Sequence, residues 1–319
     1  MDFEVNEDEA ALQEGIQAFC EGRFPIETVR ALQAEGGVDR DRWRELGETG
    51  VFALRLPEDQ GGVGLGMTEA VLVFEQLGRA VVPGPLVATH RAAGLVEGAA
   101  DGSAVVGAIE RPAAPLLVEH LEALDVLVAI DDDGVHVIDL AQIEGRAVEP
   151  MDPLTPMHQV VDLPAGEQLG GPDMAAAWRR DGATLTAALL LGLADGAMGL
   201  AVAYAKEREQ FGRAIGSFQA VKHLCADMLT RTELARSAVY AAGVTLDGRG
   251  VDDADRMVAA AKVTAGEAAR ANGKSCIQVH GGMGFTAEVD AHLYLKRALV
   301  LDTWFGSVDD HSEAVAATL

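Results

Sequence analysis

Residues 206–223 read KEREQFGRAIGSFQAVKH and separate two long stretches of helical apolar periodicity. The first stretch begins at about 173 and ends near Phe211-Gly212, where glycine interrupts the pattern. The second begins near Ser217 and continues to about 246. Long antiparallel helices joined by a short turn pack against each other as a bundle. The sequence therefore predicts a helical bundle for the C-terminal half of the chain.

The remaining chain has two other kinds of pattern. Further helical stretches cover about 252–280 and 286–303, and a short one starts at 308. Residues 6–98 are helical in pattern, whereas residues 104–165 hold four or five short β-branched runs between turn signals. We predict a mostly α-helical protein with a small β domain, in three parts: an N-terminal helical domain at 1–100, a truncated central β domain at 101–170 and a four-helix bundle at 171–319.

Composition excludes several classes of partner. The chain has 25 basic and 50 acidic residues among 319, a net charge of -25, so a nucleic-acid partner and an anionic membrane surface are both disfavoured. The three cysteines form no C-x-x-C pair, which argues against a zinc site or disulfide framework and for free thiols in the cytoplasm. The acidic N-terminus has no apolar signal core, and the apolar stretch 185–203 contains Asp195, so we expect a buried helix instead of a membrane span.

Two stretches contain residue types suited to a phosphorylated ligand. In 206–223, Arg208 offers a charged fork for phosphate and Phe211 a flat face for stacking, with Gln210 and Gln219 as further polar groups. In QVHGGMGF, at 278–285, Gln278 could bind a purine edge or phosphate, and Gly281-Gly282 would let a ligand approach the backbone. On residue types alone, an ordinary turn and an ordinary helix stop are the simpler interpretations.

Taken together and in this order, the motifs resemble those of the acyl-CoA dehydrogenase family. The resemblance runs through WRELGETGVFAL (43–54), LPEDQGGVGLG (56–66), EQLGRA (75–80), EREQFGRAIGSFQ (207–219) and QVHGGMGF (278–285). It covers nearly the whole chain and is weakest in the middle. It implies FAD, an acyl-CoA thioester, and a carboxylate that takes the α-proton while hydride leaves the β-carbon for the flavin. The cofactor-binding residues it implies are Arg208, Gln210, Phe211, Gly212, Gln219, Gln278, Gly281 and Gly282.

The chain departs from the family pattern at the catalytic base and at the flavin-ring loop. The family's Tyr-Glu-Gly-Thr run aligns with Trp304 and Phe305, followed by Gly306 and Ser307, so a Phe stands where the Glu is expected. A Phe cannot take a proton, and the alternative base position in TLTAALLLG, at 184–192, has no acid. The stretch AIERPAAPLLVEH, at 108–120, lacks the glycine-rich loop that contacts the flavin ring in the family.

These departures suggest a subunit that completes another subunit's site. Family FAD sites lie across a subunit interface, and this chain keeps only the half that reaches into a neighbour. It thus resembles the short, base-lacking subunit of heteromeric (α2β2) actinobacterial acyl-CoA dehydrogenases. The resemblance implies a heterotetramer with a homologous catalytic subunit, an electron-transfer flavoprotein or similar acceptor, and a steroid or sterol side-chain thioester as substrate.

Two other interpretations stay open from the sequence. The chain could be an autonomous homo-oligomeric dehydrogenase with a displaced base, either Asp302, which shares roughly the helix face of Phe305, or Asp195. Alternatively, it could be a binding or scaffold protein without flavin.

Overall fold

The computed structural model describes residues 5–111, 115–250 and 253–318. The N-terminal part is helical, as predicted. Asn6 and Glu9 form a reciprocal capping box at the start of the first helix, and the Asp39 side chain caps the third. The helices are α1 (Glu7–Arg23), α2 (Ile26–Leu32), α3 (Arg40–Glu48), α4 (Met67–Arg79) and α5 (Leu86–Ala92).

The β region contains seven strands within its described residues, more than the four or five predicted. They are β1 (Val106–Glu110), β2 (Leu116–Glu119), β3 (Val126–Ile130), β4 (Val135–Ile138), β5 (Gly145–Val148), β6 (Met157–Val160) and β7 (Glu167–Gly170). One sheet has the order β1-β3-β4-β7, in which only β1 and β3 pair in parallel. The other is antiparallel, with the order β2-β6-β5.

The C-terminal part is a set of long helices, close to the predicted bounds. They are α6 (Pro172–Glu207), α7 (Gln219–Leu246), α8 (Ala254–His280), α9 (Ala291–Leu301) and α10 (Val308–Ala316). The predicted start of the third helix at 252 lies outside the described residues, and α9 begins five residues later than the predicted 286 because a turn follows Phe285. A short hairpin of β8 (Glu209–Gln210) and β9 (Arg213–Ala214) joins α6 to α7.

A buried asparagine ties three of these helices together. The Asn272 side-chain amide on α8 donates to the Ala194 carbonyl on α6, at 3.1 Å, and to the Met228 carbonyl on α7, also at 3.1 Å. It also donates to the Thr232 hydroxyl at 2.9 Å. Because a buried amide without partners is costly, this set of bonds favours one register of the helices over others.

The described residues form two compact units. One combines the segment up to Glu27, Val71–Val82 and the segment from Ala183 onward; the other combines Thr28–Ala70 and Pro83–Gly182. We call them the bundle unit and the sheet unit. Both the N-terminal helices and the long helix α6 are divided between them, so the boundaries 1–100, 101–170 and 171–319 stay a prediction.

Helix α6 is long and apolar enough to cross a membrane by length and composition. However, 67% of its most apolar 18-residue window is buried inside the protein, which is typical of a core helix. The burial agrees with the expectation from Asp195 within that stretch.

Candidate cofactor site

The hairpin between α6 and α7 exposes an aromatic ring on a strained turn. Phe211 and Gly212 occupy the two turn positions, with φ of +54° and +74°. Two-residue hairpins favour positive φ at both positions, which glycine adopts freely but a side chain such as Phe adopts only at a cost. Phe211 is nevertheless 91% exposed, and its ring lies edge-on to that of Phe218, with centroids 6.0 Å apart. The protein therefore holds an unburied ring in a costly conformation, as expected of a binding residue.

The predicted polar residues around this turn are all exposed. Arg208 follows the last turn of α6, where its amide donates to the Tyr204 carbonyl at 2.8 Å. Gln210 donates to the Glu209 carbonyl at 2.7 Å, and Gln219 contacts the ring of His223 at 3.3 Å. The guanidinium and both amides are thus accessible to a ligand.

The glycine stretch at the end of α8 is open to solvent. Gln278 and Gly282 are exposed, and Gly281 has a φ of +61°. A Cβ placed on Gly212, Gly281 or Gly282 would meet no atom within 4 Å. A ligand can therefore approach the backbone at these positions. Phe285 is 84% exposed just beyond them, a feature that the sequence analysis did not single out.

A ring stack joins the two stretches. The rings of Tyr204 and His280 lie 4.1 Å apart at an angle of 26°, and these residues precede Arg208 and Gly281 respectively. His280 is 5% exposed, and its Nδ1 lies 2.8 Å from the Cys276 carbonyl. It is therefore a residue of the core. The structure thus anchors the hairpin and the glycine stretch side by side.

These groups fit one part of a dinucleotide. An exposed guanidinium can bind a diphosphate, and an exposed aromatic ring can stack on an adenosine. The open glycine backbone lets either part of the ligand come close. The individual residue assignments stay predictions.

The position expected for the catalytic Glu lies in a corner held by a buried lysine. Phe305 is half-buried, with a φ of +52°. The Lys262 ammonium on α8 is fully buried and donates to the Asp302 and Trp304 carbonyls at 2.9 Å each, and to the Gly306 carbonyl. Burial lowers the pKa of Lys262 to about 8, although the Asp302 and Asp310 carboxylates oppose this. The sequence analysis did not identify Lys262. A charged residue among the small apolar residues of AAAKVTAG, at 259–266, is the feature that could have indicated a buried lysine.

The two alternative bases lie in different surroundings. Asp302 Oδ1 is buried without a hydrogen-bond partner among the described residues, and it lies 3.0 Å from where a Cβ on Gly266 would stand. The Asp195 carboxylate pairs with Arg79 at 3.3 Å and with Arg236 at 3.4 Å. Burial raises the pKa of Asp195, and the charge of Arg79 opposes the shift.

The segment expected to lack the flavin-ring loop is only partly described. Residues 112–114, between β1 and β2, lie outside the described residues. The Arg111 guanidinium before them donates to the backbone carbonyls of Pro164 and Ala165.

Comparison with known proteins places these features in a family. The model of the acyl-CoA dehydrogenase N-terminal domain matches residues 6–101, and that of the C-terminal domain matches residues 180–319. Acyl-CoA dehydrogenase IpdE2 of Mycolicibacterium smegmatis is 33% identical over 310 residues, which cover 92% of this chain and 93% of that protein.

Solved structures share the fold at lower identity. The Tcur3481-Tcur3483 steroid ACAD G363A variant has a TM-score of 0.83 at 24% identity, covering 98% of this chain and 98% of that one. The ChsE4-ChsE5 complex from Mycobacterium tuberculosis has a TM-score of 0.82 at 23% identity, covering 99% of this chain and 98% of that one. The two family models and the IpdE2 relative show that the chain belongs to the acyl-CoA dehydrogenase family, and its cofactor is FAD.

Proposed function

We propose that this chain is a subunit of an FAD-dependent acyl-CoA dehydrogenase and completes the FAD site of a catalytic partner subunit. The observation that carries the proposal is the contrast between the exposed, strained Phe211 turn and the half-buried Phe305, which stands where the family's catalytic Glu is expected. The cofactor supplies hydride acceptance during α,β-desaturation of the acyl-CoA. This chain supplies the groups that hold the dinucleotide.

Each exposed group has a role in this proposal. Arg208 pairs with the pyrophosphate, because a guanidinium binds two phosphate oxygens at once. Phe211 packs near the adenosine half, and its fixed turn limits the entropy lost on binding. Gln278 and the Gly281-Gly282 backbone contact the dinucleotide from the other side, next to the hairpin through the Tyr204–His280 stack.

The surroundings of both acids argue against a displaced base. Asp195 already balances two guanidinium groups, Arg79 and Arg236, and Asp302 packs against α8 at Gly266 near the Lys262 ammonium. A general base must reach the substrate proton, within about 3 Å or through one water. The partner subunit would therefore supply the catalytic carboxylate, together with the flavin-ring loop.

Relatives in fold support the proposed substrate and partner. Two of them are named as complexes of two proteins, and one of those is described as a steroid ACAD. We extend this to a heterotetramer acting on a bulky steroid or sterol side-chain thioester, with an electron-transfer flavoprotein or similar acceptor. FAD as the family cofactor leaves little support for a flavin-free scaffold.

Native mass spectrometry tests the assembly. The chain would be expressed alone and with a homologous acyl-CoA dehydrogenase subunit, and bound FAD would be counted in each complex. We expect a mixed tetramer with half the flavin of a homotetramer. A homo-oligomer of this chain loaded with FAD would overturn the proposal.

Substitution at the hairpin tests the site. Arg208→Ala should lower flavin retention by the mixed complex without preventing assembly, whereas Arg146→Ala, at an exposed arginine in the sheet unit, should leave both unchanged. Unchanged flavin content in Arg208→Ala would count against the assignment. Loss of turnover in Asp302→Asn, for the chain purified alone, would instead favour an autonomous enzyme.

A further inference from the structure

The bundle unit contains a pocket that the proposed cofactor role does not use. Its volume is about 210 Å³, and it lies between the end of α1, the end of α4 and Tyr294 on α9. Its buried floor consists of Cys20, Phe24, Gln76 and Tyr294, and exposed Glu21 and Arg79 stand at its rim. All these residues belong to the bundle unit.

One polar atom in this pocket lacks a partner. Gln76 is 7% exposed, and its Oε1 has no hydrogen-bond partner among the described residues. A buried amide oxygen without a partner is destabilising, so a group that binds here and hydrogen-bonds to it removes that penalty. The oxygen and nitrogen of an amide can exchange places by a flip about the side chain, so the buried atom is either an acceptor or a donor. A hydroxyl group, which both donates and accepts, satisfies Gln76 in either orientation.

The rest of the pocket selects against a charged ligand. The Arg79 guanidinium is already paired with Asp195, and Glu21 at the rim would repel an anion. The floor offers no charge of its own, because burial raises the pKa of the Cys20 thiol to about 12 and keeps it protonated. The remaining walls are apolar, including Phe24 and Ala80.

The size of the pocket fits a ring more closely than a single water. One water occupies about 30 Å³ of liquid, whereas apolar cavities of about 150 Å³ in other proteins take up benzene. A pocket of about 210 Å³ has room for a six-membered ring with a substituent.

We propose that this pocket binds a small uncharged alcohol or phenol, with the ring against Phe24 and the hydroxyl on the Gln76 amide. The site is separate from the exposed hairpin and glycine stretch, and it does not depend on their role.

Calorimetry on the full chain with phenol and with toluene tests the proposal. Phenol should show saturable binding, and Gln76→Leu should weaken it about tenfold, because the ligand hydroxyl loses its partner. Toluene should bind Gln76→Leu at least as well as it binds the unchanged protein. The same substitution at exposed Gln142, in the sheet unit, is the matched control and should change neither affinity.

Two results would overturn the proposal. The first is no saturable phenol binding, which would mean that water alone satisfies Gln76. The second is phenol binding unaffected by Gln76→Leu. Should that variant fail to fold, a crystal of the unchanged protein soaked in 4-bromophenol decides the question. An anomalous bromine peak beside Gln76 supports the site, and a peak elsewhere or none refutes it.

Discussion

At the scale of single residues, Lys262 shows how a buried charged side chain can hold a distant stretch of backbone in one conformation. Its ammonium meets the carbonyls of three residues in the corner after α9, namely Asp302, Trp304 and Gly306. Lysine donates three hydrogen bonds, so these carbonyls use its full capacity. The corner is therefore held by a side chain that lies about 40 residues upstream, through carbonyls on both sides of Phe305 and its left-handed φ.

Lys262→Met should be strongly destabilising. The change keeps the stem but leaves three backbone carbonyls without their donor, and we expect a loss of about 3 kcal/mol in the free energy of unfolding. Lys274→Met, at an exposed position on the same helix, should stay within about 0.5 kcal/mol. Urea unfolding measures both. Equal losses in the two variants would show that the carbonyl contacts contribute nothing.

His90 should make the protein sensitive to acid. Burial lowers its pKa to about 4, with further lowering by the charges of Arg55 and Arg91, while its bond to the Val51 carbonyl opposes the shift. Unfolded histidine titrates near about 6.5, so between these values the unfolded chain binds more protons. The contribution of neutral His90 to the free energy of unfolding is therefore fully present above about pH 6.5. It falls as the pH drops towards about 4, by at most about 1.4 kcal/mol per pH unit.

His90→Gln keeps a donor for the Val51 carbonyl but removes the titration. Between pH 7 and pH 5 the unchanged protein should lose about 2 kcal/mol more than this variant, as measured by urea unfolding at both values. Half-buried His311, whose pKa is also lowered mainly by burial, leaves some acid sensitivity in the variant. Identical pH dependence in the two proteins would mean that His90 does not determine the effect.

At the scale of elements, α4 and α6 touch backbone to backbone through glycines. A Cβ on Gly192 would lie 2.0 Å from the Glu75 carbonyl oxygen, and one on Gly78 would lie 2.1 Å from the Leu189 carbonyl oxygen. Such distances leave no room for a methyl group. Gly199, on the same helix, is exposed and meets nothing within 4 Å.

Alanine substitutions at the two α6 glycines should have opposite effects. Gly192→Ala forces the helices apart and should cost about 2 kcal/mol or more. Gly199→Ala removes the flexibility of an exposed helix position and should stabilise by about 0.5–1 kcal/mol. Thermal unfolding of both variants distinguishes the signs. A tolerated Gly192→Ala would mean that α4 and α6 can separate without loss.

The same scale shows what the sequence could predict. The long helices could be predicted, because their apolar residues recur at helical spacing over many turns. The sequence predicted fewer strands than the structure contains in its described residues. Three of them, β2, β5 and β7, lie at sheet edges, where packing imposes little pattern. Contacts between residues far apart in the chain could not be predicted, because neither partner carries a local pattern that points to the other. Arg236 binds Glu75 across 161 positions, and Lys262 binds carbonyls in the corner around Phe305.

At the scale of the whole molecule, the bundle unit exposes large apolar side chains on α7 and in the two stretches proposed to hold the cofactor. Leu234 on α7 is 63% exposed, Leu229 is 49% exposed, and Phe211 and Phe285 are more exposed still. A large exposed apolar side chain is a candidate for burial against a partner. We expect Leu234 to lie in the interface with the catalytic subunit, because it belongs to the same unit as the hairpin proposed to hold FAD.

Leu234→Asp should therefore weaken the mixed complex. A carboxylate would have to be desolvated at the interface, and we expect at least about a tenfold loss in affinity between the subunits. Val161→Asp is the matched control, because Val161 is 92% exposed but belongs to the sheet unit. Both variants should fold, since neither position is buried. Analytical ultracentrifugation with the catalytic subunit measures the affinities, and equal assembly of the two variants would place the interface on another surface.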